Sequence, residues 1–239
     1  MRSSFLFVLS VLIMLSCGRQ EQGSTSQQTP VHRVGAMKDV MWKGELGAKV
    51  QFDTLSPKAG LYGLGPLSYL AGEILINDGR AFVSRVVSES SMSVEESYDI
   101  SAPFFVYANV LEWKEIQLAP LVSDIKSLEE YLAKKTPLES PPFAFKLKGR
   151  VSSATIHIQN LPEGSVVSSP QEAHQGQQNY QLENEAVEII GFFSRNDQGV
   201  FTHHDSFLHM HLITQDEDEM GHLDHAVFEE MTLYLPSQQ

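Results

Sequence analysis

Three histidines lie close together near the end of the chain, in the stretch HMHLITQDEDEMGH that covers residues 209–222. His209 and His211 are two residues apart, a spacing that places side chains on the same face of a β-strand. The acidic residues that follow are typical of a turn, which would return His222 to the side of the pair. Zinc prefers nitrogen and sulfur ligands, and a catalytic zinc site usually has three protein ligands. The stretch therefore predicts a site for zinc or another divalent cation.

The same histidines have other interpretations. Histidines on a polar strand face are often only solvated, and His203, His204 and His225 raise the local histidine density in a way that suits a metal-scavenging or structural role. A cupin-type metal protein also combines an HxH motif with a later histidine on a β-barrel. Glu217 is loosely placed for the glutamate of a cupin motif, but no proline–glycine turn precedes His222. These alternatives stay open at this point.

Most of the chain around the histidines has the pattern of β-strands. Asn77-Asp78-Gly79 is a strong hairpin signal, and residues 101–113 are rich in aromatic and branched side chains. In residues 155–159 the side chains alternate, so that Thr155, His157 and Gln159 share one face. Residues 163–185 are polar and rich in Ser and Gln, which predicts either a long loop or a partly disordered crossing between two halves of the fold.

One helix is clear. Residues 124–135 have apolar side chains at helical spacing, a capping box expected from Ser127 and Glu130, and Pro137 as a stop signal. We therefore expect an α+β fold that is predominantly β. We expect a mixed sheet in one half and a small β-barrel-like half that carries the metal site, with the boundary near residue 140.

Composition excludes some functions. Among 239 residues, 17 are basic and 30 acidic, a formal net charge of −13. This balance disfavours nucleic acid as a partner, because phosphate binding depends on Lys and Arg. The hydrophobic fraction of 42% is ordinary for a globular protein.

The N-terminus is typical of an exported protein. Residues 1–16 combine an early arginine with an apolar run that is short for a membrane span, as in a secretory signal. The sequence Met14-Leu15-Ser16-Cys17 resembles a bacterial lipobox, which would make Cys17 the lipidated first residue of an outward-facing, membrane-anchored protein. Residues 17–36 are then a flexible tether, and residues 37–239 the folded domain. The alternative is an ordinary cleaved signal with an incidental cysteine.

Over residues 37–236, the order of several blocks resembles the α-acetolactate decarboxylases. The most specific blocks are LAGE, which ends at Glu73, and HMHLITQDEDEMGH; GLYGLGPLSYL, SAPFFVYANV, FAFKLKGRV, EIIGFFS and LYLP follow the family's strand pattern. The resemblance implies that His209, His211 and His222 bind zinc and that Glu73 is the active-site carboxylate. It also implies a small 2-hydroxy-3-oxo acid as substrate, acetoin as product, and a homodimer.

The chemistry suits such a site. When acetolactate loses carbon dioxide, electrons flow into the neighbouring ketone, and a zinc ion acts as a Lewis acid that stabilises this charge. A proton donor such as Glu73 then protonates the carbon.

The sequence also departs from the family. His157 stands where the family has an active-site arginine, and a histidine lacks the planar fork that clamps a carboxylate. Arg150 is the nearest cation, and Pro66 replaces a hydroxyl residue. One interpretation is a decarboxylase in which His157 and Arg150 orient the substrate. The other is an exported zinc-binding lipoprotein of the same fold with changed or lost activity.

Overall fold

A computed structural model describes residues 29–237, which form thirteen strands and three helices. The helices are α1 (Met37–Lys43), α2 (Ile125–Lys135) and α3 (Pro170–Ala173). The strands are β1 (Val31–Val34), β2 (Val50–Gln51), β3 (Leu61–Pro66), β4 (Glu73–Asn77), β5 (Arg80–Ser88), β6 (Ser91–Glu96), β7 (Ser101–Ala102), β8 (Phe105–Asn109), β9 (Trp113–Gln117), β10 (Phe143–Ile158), β11 (Gln178–Phe193), β12 (Leu208–Thr214) and β13 (Met220–Pro236). Within the described range, no helix has both the length and the apolar character needed to cross a bilayer.

The first sheet contains six strands in the order β1-β8-β3-β4-β5-β6. Asp78 and Gly79 have φ values of 48° and 79°, which the tight turn between β4 and β5 requires. The predicted hairpin is therefore confirmed. Its first strand begins at Glu73, so the turn and the pairing with β5 together fix the position of this carboxylate.

The second sheet closes on itself. β10 pairs with β11, β11 with β12, β12 with β13, and β13 again with β10, while β9 adds to one end of β13. The predominantly β, α+β class and the barrel-like half are thus confirmed. The pairings between these strands are antiparallel in both sheets, so the expected mixed sheet is corrected to an antiparallel one.

Helix α2 covers the closed sheet and confirms the predicted helix. Leu128 and Leu132 face the core and are almost completely buried. The capping box differs from the prediction, because Asp124 accepts from the Ser127 backbone N–H at 2.7 Å and Ser127 Oγ accepts from the Asp124 N–H at 3.0 Å. Asp124, with its extended backbone, is the N-cap, and Ser127 occupies the third helical position.

Several predicted boundaries are wrong. Pro103 interrupts the strand expected at 101–113, and β8 and β9 on either side of residues 110–112 belong to different sheets. The change between halves therefore falls there and not near residue 140. The loop expected at 163–185 contains α3 and the start of β11, and β1 falls inside the residues assigned to the tether because its backbone pairs with β8.

Side chains on β12 divide between two cores. Leu208, Met210 and Leu212 pack inside the closed sheet, and the alternating positions point towards the first sheet. Leu64 and Leu75 of the first sheet are fully buried against the outer surface of the closed sheet. Burial of such a side chain stabilises the fold by about 1.5–3 kcal/mol, so the two sheets are held as layers around the space between them.

Candidate metal centre

The three predicted histidines come together between the two sheets. His211 of β12 lies opposite His222 of β13, and His222 lies opposite His157 of β10. His209 lies two residues before His211 on β12 and on the same face of the strand. The ligand nitrogens of His209, His211 and His222 are all within 4.8 Å of one another. Gly221 is necessary for this arrangement, because a Cβ there would be 2.6 Å from the carbonyl oxygen of His157. The tight approach expected at this glycine is confirmed.

The donor set fits a metal ion. His209 Nδ1 and both ring nitrogens of His211 are buried and make no hydrogen bond of good geometry with the described residues, although the backbone of Phe201 lies near the ring of His209 and that of Ile74 near the ring of His211. Burial lowers the pKa of His211 to about 3 and holds the pKa of His209 and His222 well below the ordinary value. The rings are thus neutral at pH 7, which is the form that binds metal. The three donor nitrogens are close enough together to hold one ion.

Glu73 faces the histidines from the first sheet. Its side chain is 3% exposed, and Oε2 is 3.6 Å from His211 Nε2. Oε1 accepts a hydrogen bond from the backbone N–H of Gln159 at 3.3 Å. Burial raises the pKa of Glu73 to about 7, against the lowering effect of His157. The carboxyl group can therefore hold or release a proton near neutral pH.

His157 faces the same space but has a different partner from the one predicted. Its ring stacks on His222 with centroids 4.6 Å apart, and Nδ1 is 2.8 Å from a carboxylate oxygen of Asp224. Because a carboxylate only accepts, Nδ1 carries the proton and donates it to Asp224. Nε2 is then directed to the Nε2 of Gln159 at 3.4 Å. In this arrangement His157 is not a clamp for a substrate carboxylate.

Arg150 lies away from the site, so the structure gives no support to its predicted role. It is exposed and donates to the backbone carbonyl of Asn184. It lies seven residues before His157 on β10, which corresponds to about 23 Å of extended strand. The lipidation site predicted at Cys17 lies outside the described residues.

Three residues near the histidines were not predicted. Asp224 follows His222 by two positions, Gln159 follows His157 by two, and His203 Nε2 lies 3.4 Å from His222 Nε2. The alternation of side chains along a strand could have indicated that Asp224 and Gln159 lie near the site, since each follows a histidine by two residues and shares its face. The approach of His203 depends on a loop, and no periodicity signals it.

His203, His209 and His222 line more than one cavity, and the one that Glu73 also lines is small. Its volume is about 30 Å³, roughly room for two water molecules. Among the described residues that line it there is no Lys or Arg. The lining consists of Met37, Met41, Pro66, Leu70, Glu73, Phe104, His157, Gln159, His174, His203, His209 and His222.

Together, the closed antiparallel sheet and the buried imidazoles define a protein with a candidate metal centre of three histidines. The family model described as alpha-acetolactate decarboxylase matches residues 31–238. The chain therefore belongs to the alpha-acetolactate decarboxylase family, and the resemblance noted in the sequence is confirmed.

Solved structures have the same fold. Alpha-acetolactate decarboxylase from Bacillus subtilis strain 168 aligns with a TM-score of 0.72 at 19% identity, covering 87% of this chain and 85% of its own. Acetolactate decarboxylase from Bacillus subtilis subspecies spizizenii gives 0.72 at 19% identity, covering 87% and 86%. A Staphylococcus aureus protein of unknown function similar to alpha-acetolactate decarboxylase gives 0.71 at 16% identity, covering 85% and 84%. No curated protein matches the chain.

Proposed function

We propose that the protein is a metal-dependent carboxy-lyase that converts 2-acetolactate to acetoin. The observation that carries the proposal is the meeting of three neutral imidazoles with the Glu73 carboxyl group, 3.6 Å from His211. Family membership supports the reaction class. Zinc fits the nitrogen donors best, and another divalent ion of similar preference is the alternative.

In this proposal each group has a separate task. His209, His211 and His222 would hold the zinc ion, which would supply Lewis acidity for the negative charge that develops on the substrate. Glu73 keeps a proton near neutral pH because burial raises its pKa to about 7. It delivers this proton to the carbon that loses carbon dioxide. The Gln159 backbone N–H holds the carboxyl group in place by donating to Oε1 at 3.3 Å.

The substrate carboxylate would meet an apolar lining instead of an arginine. Met37, Met41, Leu70 and Phe104 line the cavity. A carboxylate placed against such side chains loses hydration, which raises its energy, and its departure as neutral carbon dioxide removes that penalty. The apolar lining thus promotes decarboxylation without a cationic clamp.

Substrate entry requires side chains to move. A cavity of about 30 Å³ is too small for a ligand with nine non-hydrogen atoms. Met37 and Met41 come from the short helix α1, and unbranched methionine side chains repack easily. We therefore assign entry to repacking of these two side chains.

The test is formation of acetoin from racemic 2-acetolactate by zinc-loaded protein. We expect turnover that is lost after chelation and restored by zinc. Glu73→Gln should reduce turnover by about 10²–10⁴-fold while zinc stays bound, because it removes the proton donor and leaves the imidazoles. Glu45→Gln, in an exposed position outside the cavity, is the matched control. No zinc-dependent acetoin between pH 5 and 8 would contradict the assignment.

A second candidate is a zinc-binding relative with changed or lost activity. The lack of Lys and Arg among the described lining residues favours it, since a carboxylate substrate usually meets a cation. Tight binding of one zinc ion per chain without acetoin formation would support this candidate.

The N-terminal and assembly predictions are proposals of the same kind. We propose that Cys17 is lipidated and anchors the protein on the outward face of a membrane. Palmitate should then label the wild type and not Cys17→Ala. We also propose a homodimer, which light scattering would detect as twice the mass of the 26.7 kDa chain.

A further inference from the structure

Gln159 is a buried polar residue for which the reaction has so far used only the backbone. It follows directly after β10, is 4% exposed and lines the cavity beside Glu73. Its carboxamide Nε2 donates to Gln177 Oε1 at 3.2 Å and lies 3.4 Å from His157 Nε2. Its Oε1 is buried with no hydrogen-bond partner among the described residues.

The neighbouring hydrogen bonds fix which way this carboxamide points. His157 Nδ1 donates to Asp224, and its Nε2 lies 3.4 Å from the Gln159 NH₂ group. Gln177 presents its own oxygen to that NH₂ group, because its Nε2 donates to Asn179 Oδ1 at 3.0 Å. A reversed Gln159 amide would place its oxygen against the Gln177 oxygen. The orientation with an unsatisfied Oε1 is therefore the favoured one.

A buried acceptor without a donor costs about 1–3 kcal/mol, so the site gains from a ligand that supplies one. The group it requires is an O–H or N–H, because Oε1 repels a carboxylate. Oε1 of Glu73 already accepts from the backbone N–H of the same residue, Gln159. No Lys or Arg is present among the described lining residues to reverse this preference.

We propose that Gln159 is a specificity-determining residue that accepts a hydrogen bond from the hydroxyl group of the substrate through Oε1. The inference rests on the proposed function and adds the group that is recognised. The site takes small α-hydroxyketones, whose hydroxyl hydrogen meets Gln159, and discriminates against ketones in which that hydrogen is absent. The substrate carboxylate is thereby directed away from Gln159.

The experiment compares two probes with the zinc-loaded full chain. 3-Hydroxybutan-2-one has the hydroxyl hydrogen, and 3-methoxybutan-2-one keeps the oxygen but lacks the hydrogen. Dissociation constants are measured by titration calorimetry, and the ratio of the two constants is compared between variants. Differences in probe size or metal chelation contribute equally to each ratio, so a change in the ratio belongs to the substituted residue.

We expect the wild type to prefer the hydroxyl probe and Gln159→Met to reduce that preference by about tenfold, the effect of one unpaired buried group. Gln177→Met leaves the cavity lining intact but frees the amide to rotate, so it should reduce the preference by a smaller factor. Gln181→Met, an exposed residue bonded to Thr155, is the matched control and should leave the ratio unchanged. Zinc content and melting temperature are recorded for every variant.

An unchanged ratio in both Gln159→Met and Gln177→Met would overturn the inference. Should Gln159→Met not fold, the Gln177→Met ratio decides alone. The outcome is separable from that of the proposed function. Discrimination between the probes that depends on Gln159, without acetoin formation, would support hydroxyketone recognition and contradict the proposed decarboxylase activity. Acetoin formation with the same probe ratio in all variants would support the decarboxylase activity and contradict the role of Gln159.

Discussion

The two sides of the cavity are built in different ways. One side, the histidine wall, consists of His209, His211 and His222 on two consecutive strands of the closed sheet. The other side, the acceptor wall, consists of Glu73 from the first sheet and Gln159 from the end of β10. The histidine wall joins residues 13 positions apart at most, whereas the acceptor wall joins residues separated by 86.

The difference indicates a division of tasks. The histidine wall offers neutral nitrogen donors and holds the ion, and the acceptor wall contains the proton and the oxygen atoms that meet the substrate. Substitutions on the first wall should therefore change metal affinity, and substitutions on the second should change turnover or selectivity while the metal stays bound. The following predictions test this separation.

The largest effect is expected from His211→Ala. His211 is fully buried, and its Nε2 lies 3.6 Å from Glu73 Oε2. Loss of an outer hydrogen-bond partner of a metal ligand typically costs 10–100-fold in affinity, so loss of a ligand should cost more than about a hundredfold. Zinc per chain after dialysis, measured by plasma emission, tests this. His204→Ala, at an exposed histidine, should keep its zinc.

The pH dependence of stability distinguishes the acceptor wall. In metal-free protein, burial raises the pKa of Glu73 from 4.5 to about 7, so the folded state binds a proton that the unfolded state releases. Wild-type stability should therefore lose this contribution as pH rises from 4.5 to 7. Glu73→Gln lacks this proton and its pH dependence. The free energy of unfolding of Glu73→Gln minus that of the wild type should therefore increase by on the order of 3 kcal/mol over that range.

Urea unfolding at four pH values, with a chelator present, measures this difference. The histidines are the same in both proteins, so their own pH dependence cancels. A difference between Glu73→Gln and wild type that stays constant from pH 4.5 to 8 would show that the carboxyl group is not held protonated by burial.

A smaller effect is expected from Asp224→Ala. Asp224 fixes the tautomer of His157 by accepting from Nδ1 at 2.8 Å, and the side chain of Asp224 is 36% exposed. Without Asp224, the proton of His157 is no longer held on Nδ1, and turnover should fall by about tenfold, as is usual when a residue that orients a histidine is lost. Nitrogen NMR of the imidazole would show the change in the Nδ1–H population. Asp218→Ala, in the exposed turn, is the control; an unaltered His157 spectrum in Asp224→Ala would contradict the assigned role.

The smallest effect is expected from Arg150→Ala. Arg150 lies on β10 outside the cavity lining, and its guanidinium donates to the carbonyl of Asn184 on β11. Turnover and zinc content should both change by less than about twofold, as for a surface substitution. A large loss of turnover would show that Arg150 reaches the substrate after all.

The contrast between the walls also explains what the sequence could predict. The histidine wall could be predicted from the sequence, because the alternation of side chains along a strand, the acidic turn and one glycine all belong to a single hairpin. Glu73 was found only through the family resemblance, because its approach to His211 depends on how two sheets pack. No local pattern contains that information.

The errors have similar causes. Ser127 was recognised as a capping residue, but it was paired with Glu130. Asp124 was not identified as the N-cap, because Asp124 with Ser127 and Ser127 with Glu130 are both suitable pairs for a capping box. The predicted strand at 101–113 was rich in aromatic and branched side chains, which gave no indication that its two ends join different sheets. Arg150 was chosen by proximity along β10, although seven residues of extended chain separate it from His157.

The closed ring of β10, β11, β12 and β13 has a consequence for the choice of cation. Each strand that holds a histidine ligand is flanked on both sides, so its backbone is not free to shift outward around a bulky ion. The distances from the histidine nitrogens to a bound ion can therefore change only by rotation of the imidazole rings, which moves the nitrogens over a small range. The architecture therefore selects by ionic radius: it suits a compact ion with four short bonds and disfavours calcium, which requires six to eight oxygen contacts at greater length.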